Sequence, residues 1–165
     1  MTHNNNLVYT AAQFIGLEEV DGPGSNPIIL NWIQEIFPGW RDDSTLAWCS
    51  VFMNIVARMC GLENVMRLSK PGLAQGWLRV GEPIELKEIQ CGDVGVWRRG
   101  GPGSGKGHVG IILNRTGDYL HVLGGNQSNG VRVSRYPLSS KTYDFLGARR
   151  LRLDLGDWPA NPALA

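Results

Sequence analysis

Cysteine, histidine and net charge are all scarce in this chain, and each shortage argues against a class of function. Three cysteines and three histidines are spread over 165 residues. The cysteine count is odd and the spacing wide, which speaks against a disulfide framework and against a zinc site built from closely paired Cys and His. Lys and Arg number 16 against 15 for Asp and Glu, a net charge of +1. That balance calls for neither nucleic acid nor an anionic membrane surface as a partner. The polar start, Met1 to Asn6, lacks the apolar stretch of a secretion signal, and no run reaches membrane-spanning length. The expectation is therefore synthesis in the cytoplasm without a signal peptide, with export by other means if the protein acts elsewhere. Internal repeats and low-complexity blocks are also missing.

What is present is a globular composition, 42% hydrophobic and 19% charged, with 22 glycines for tight turns. The length suits one domain over residues 1–165, with 1–6 a disordered polar start and 156–165 a Pro/Ala-rich tail. Apolar residues at helical spacing predict a helix over 7–17 and another opened by Asn26 as N-cap and Pro27 at its first position. A third helix carries Val51, Phe52, Ile55, Val56 and Met59 and ends near Gly61. A short helix is expected over 71–80, with Leu73, Trp77 and Leu78 inward. From Asp93 onward the pattern alternates. Strands are predicted over 93–97, 108–113, 119–123, 131–134 and 145–153. Helices first and antiparallel strands second make an α+β fold.

Cys49 lies in the first turn of the third helix, where unpaired N–H groups and the helix dipole favour an anion. A lowered pKa and a reactive thiolate are the expectation; a buried structural cysteine is the plainer alternative. A thiolate nucleophile needs a base and the base an orienting group. His3 falls in the polar start. His108 opens a strand after a Gly-rich loop, well placed to meet a helix end. His121 is mid-strand. Asn126, after Gly124-Gly125, offers a carboxamide to hold an imidazole tautomer, or else a turn residue. Hairpin register separates Asn126 from His121: with Leu113 opposite Tyr119, residues 120, 122 and 124 share the His108 face, and a slip of one brings His121 there instead.

Trp48-Cys49-Ser50, Gly92-Asp93-Val94, Gly107-His108-Val109-Gly110 and Gly124-Gly125-Asn126-Gln127 together resemble the CHAP and NlpC-type cysteine peptidase/amidase superfamily. The resemblance is strongest to its compact phage-associated branch with a Gly-Gly-Asn-Gln motif. It spans nearly the whole chain and implies a papain-like fold, N-terminal helices packed on a C-terminal antiparallel sheet, and cleavage of amide bonds in bacterial peptidoglycan. It implies Cys49 as nucleophile and His108 as base. Where many CHAP members carry an acid, this chain has Gly124 and Gly125, so Asn126 is the preferred orienter; the histidine that NlpC relatives use falls near His121. The expected protein is a monomeric peptidoglycan amidase or endopeptidase, either a phage endolysin or an antibacterial effector paired with an immunity protein. A wall-binding module without turnover is the competing class.

Other signals carry less. Residues 100–107 approach a phosphate-binding loop, but position 107 is Gly where Ser or Thr is needed, and the segment enters a strand. Asp42-Asp43 lack the ligand count of a calcium site, so no metal or cofactor is expected. Asp93 either supports the site or, more simply, caps a turn. Trp40 and Trp97 are the candidate platform for stacking on sugar.

Overall fold

The computed structural model describes residues 3–156. Helix α1 spans His3–Ala12, α2 Pro27–Ile36 and α3 Cys49–Met59. Six strands follow: β1 Glu82–Ile84, β2 Val94–Arg99, β3 Gly107–Thr116, β4 Tyr119–Gly124, β5 Arg132–Pro137 and β6 Tyr143–Arg150. They form one antiparallel sheet in the order β1-β6-β2-β3-β4-β5. The α+β layout with helices preceding the sheet is as the sequence predicts.

Local chemistry explains the helix ends. Asn26 accepts the N–H groups of Ile28 and Ile29 and Pro27 opens α2. Gly61, at φ 65°, takes the chain out of α3. Every residue of α3 from Cys49 to Ala57 is buried. This helix is the central beam, touching α1, α2, β3 and β4.

The sheet is covered on both faces. Val94, Val96, Val109, Ile111 and Leu123 meet the helices. Trp97, Ile112, Leu120, Val122, Tyr136 and Ala148 build a second core on the opposite face. There the sheet curls, so that Tyr136 of β5 reaches Trp97 of β2, which also touches Phe145 of β6.

Several expectations need correction. Residues 3–6 are helical, not disordered, and α1 stops at Ala12, with turns over 13–16. Asn4 donates to the Asp93 carboxylate and the Cys91 carbonyl, which ties the polar start down. Gly92, at φ 93°, permits that contact: a Cβ there would stand 2.5 Å from the Cβ of Asn4. The segment over 71–80 is a 3₁₀ helix, Ala74–Arg79; Trp77 is buried but Leu73 is exposed. Strand β1 was not foreseen. The expected 156–165 tail lies outside the described residues except for Gly156. Among the described residues no helix is long and apolar enough to cross a membrane.

Candidate active site

Two elements bring the sulfur and the imidazole together. Cys49 is the first residue of α3 and His108 the second of β3. Both line one groove of about 420 Å³, together with Ala47, Gly72, Leu73 and Ala74 and with Arg99 and Ser104 to Gly107 of the Gly-rich loop. Asn126, Tyr136 and Tyr143 complete it. The start of α3 is held by a buried relay. Ser50 donates to the Pro71 carbonyl and accepts from the Trp77 indole, and Asn54 donates to the same carbonyl while accepting from Val65.

Cys49 is 4% exposed and makes no disulfide. Burial pushes its thiol pKa up, against the pull of the N–H groups of Val109, Ser50 and Cys49 itself and the more distant charge of Arg99. The expected lowering at a helix start is thus overturned: desolvation of the sulfur outweighs the amides aimed at it. His108 is equally buried, and the same loss of water drives its pKa from 6.5 to about 4. Gln127 opposes that fall and Arg99 adds to it. At neutral pH the resting pair is therefore an uncharged thiol and an uncharged imidazole.

Gln127, rather than Asn126, is the amide beside the ring. Its Nε2 donates to the carbonyls of Val122, Gly124 and Arg132. That leaves the amide oxygen as the atom offered to His108, the interaction that raises the ring's pKa. His108 Nε2 and Gln127 Oε1 are both buried, and neither makes a hydrogen bond among the described residues. An N–H on Nε2 would offer that oxygen a donor and leave Nδ1 as the free lone pair.

The Gly-Gly-Asn-Gln run builds this arrangement. A Cβ on Gly125 would stand 2.5 Å from the Trp48 ring and 2.6 Å from Phe52 Cβ, so only glycine lets the chain pass α3. Asn126 then takes a left-handed φ of 55°, which asparagine tolerates better than most residues. The turn delivers Gln127 inward and leaves Asn126 on the groove wall, half-buried. Gln127 stood in the quoted motif, but the reversal at Asn126 that selects it is a backbone property.

The register places the other histidine elsewhere. Thr116 faces Tyr119 across a turn of Gly117 and Asp118, and a bulge between Ile112 and Asn114 shifts the pairing, which differs from the expected Leu113–Tyr119 match. Residues 122 and 124 share the His108 face. His121 falls on the other face, opposite Asn114 and Arg135, and contacts Thr116 Oγ1 at 3.3 Å.

A tyrosine that sequence reading missed covers the ring. Tyr136 stacks on His108 with centroids 4.4 Å apart and planes within 6°. Burial raises its phenol pKa, so the hydroxyl stays neutral. Neither candidate tryptophan lines the groove. Trp97 is fully buried, donates to the Pro137 carbonyl and presents no face for stacking. Trp40 packs on Phe37, donates to the Asp42 carbonyl and does not line the groove. Asp93 accepts from Gln90 N–H and pairs with Arg150, a structural junction. Asp42 caps a 3₁₀ turn through the Ser44 N–H. A larger cavity of about 1010 Å³, by Asn4, Gln90 and Arg150, contains neither Cys49 nor His108.

No protein-family model matches the chain, and no curated protein sequence matches it. Solved structures do. One is described as similar to a lipoprotein of the NLP/P60 family, from Staphylococcus aureus, with 20% identity, a TM-score of 0.50, and coverage of 90% of this chain and 41% of that one. Another is an NlpC/P60 family protein from Bacillus cereus, with 20% identity, a TM-score of 0.48, and coverage of 89% and 39%. The chain thus spans about two fifths of the length of these proteins. The likeness to the first concerns architecture: the fold of this chain is the α+β fold of an NLP/P60 structure.

Proposed function

We propose that the protein is a cysteine hydrolase that cuts an amide bond in bacterial peptidoglycan. The observation that carries the reading is the shared groove of Cys49 and His108, with the Gln127 side-chain amide beside the ring. Fold likeness to an NLP/P60 structure supports the same reading.

In the proposed reaction His108 Nδ1 takes the Cys49 thiol proton as the sulfur attacks the scissile carbonyl. The Cys49 N–H at the head of α3 is the first donor to the oxyanion. Collapse breaks the C–N bond, His108 returns the proton to the leaving amine, and a thioester forms. Water, deprotonated by His108, then releases the acid and restores the thiol. Gln127 holds the ring tautomer throughout, the role first expected of Asn126. The acceptable substrates are a muramoyl–L-alanine bond or a peptide-stem bond, and the biological setting is that of a phage endolysin or a delivered effector with an immunity protein.

One observation favours the wall-binding alternative: burial keeps the resting pair neutral. Release of soluble fragments from purified peptidoglycan separates the two. The hydrolase reading predicts release by the native chain and none by Cys49→Ala or His108→Ala, with binding retained. Binding without release by the native chain would establish the module instead.

A further inference from the structure

The formal side-chain charges lining the groove are of one sign. Arg99 and Lys106 line it together with Cys49 and His108, and no Asp or Glu does. Both cations are exposed, and neither pairs with a carboxylate among the described residues, so their charge is open to the groove. Arg98 bonds Asp144 at 2.7 Å, while Arg99, the next residue of β2, opens on the groove.

The loop that bears the cations is held in place. Arg99 N–H donates to the Lys106 carbonyl at 3.0 Å, Ser104 Oγ to the Arg99 carbonyl at 2.7 Å, and Gln75 Nε2 to the Lys106 carbonyl at 2.9 Å. Arg99 makes no ion pair for the fold, and its charge works against the basicity of His108. A substrate anion in the groove would bring Arg99 and Lys106 a counter-charge.

We propose that Arg99 and Lys106 form an anion subsite in the Cys49 groove and select a substrate with a free carboxylate close to the bond that is cut. This rests on the hydrolase reading, since a carboxylate is the anion that a peptide amide substrate carries.

The test compares alkylation of Cys49 in the full chain by iodoacetate and by iodoacetamide at mildly alkaline pH. Peptide mass mapping follows the product, with the exposed Cys91 as internal reference. The ratio of the two rates cancels the thiol's own reactivity and reads the groove's preference for an anion. The double substitution Arg99→Gln/Lys106→Gln should lower that ratio about tenfold. A ratio equal in both proteins overturns the subsite. A second arm measures kcat/KM on native peptidoglycan and on peptidoglycan whose carboxylates have been amidated. The native chain should lose activity on the amidated wall, and the double variant should lose it on the native wall only. Equal losses by the variant on both walls also overturn the proposal. If native chain and Cys49→Ala leave both walls uncut, the hydrolase reading falls, while the alkylation ratio still decides the subsite.

Discussion

At the scale of single residues, the site works through burial. A thiol pushed up and an imidazole pushed down to about 4 make a neutral pair, so activation comes with the substrate and not before it. The acid limb of kcat/KM should consequently lie near pH 4, not near the ordinary histidine value of 6.5. The same shift acts on stability. The unfolded chain binds a proton at His108 below pH 6.5 and the folded chain only near 4, so stability falls as pH is lowered through that window. The full loss is about 3 kcal/mol, and urea titrations at pH 7 and pH 4 of the native chain and His108→Gln would read it. Gln127→Glu should raise the imidazole pKa and move the acid limb upward, because a carboxylate favours the charged ring. Asn126→Ala should leave the limb in place and cost about 1 kcal/mol of stability for a left-handed alanine. Tyr136→Phe should preserve the stacked plate over His108, whereas Tyr136→Leu should lower kcat several-fold with KM little changed.

At the scale of elements, the decisive devices are a helix head and a reversed turn. Gly125→Ala would push a methyl against Trp48 and Phe52 and should cost about 1–3 kcal/mol as the turn is forced off α3. Activity should fall with it, because Gln127 moves with the turn; a thermal melt beside a wall-release assay checks both. Helix α2, with its Asn26 cap, and the head of α3 at Cys49 were legible from residue type and spacing. So was His108 at a strand start. Gln127 was not, because period-two alternation continues through Asn126 only if the backbone stays extended, and there it turns left-handed. The depth of Cys49 was also hidden: helix position can be read from pattern, but the number of layers above a sulfur cannot.

At the scale of the whole molecule, the sheet has two cores where the sequence suggested one face for the helices. That second core is why Trp97 belongs to packing and not to sugar. Trp97→Ala should destabilise by about 3–5 kcal/mol in chemical denaturation, the cost of a large core deletion. Helix α1 and strand β6 are joined by Asp93, which is fully buried and holds Arg150 of β6 at 2.8 and 2.9 Å and Asn4 of α1 at 3.0 Å. The central claim concerns chemistry at the groove these parts enclose. It is tested most directly by mass spectrometry of purified peptidoglycan incubated with the native chain and with Cys49→Ala. The account predicts new amine and carboxylate ends at one amide bond, present only with the native chain. Identical fragment spectra from the two proteins would contradict it.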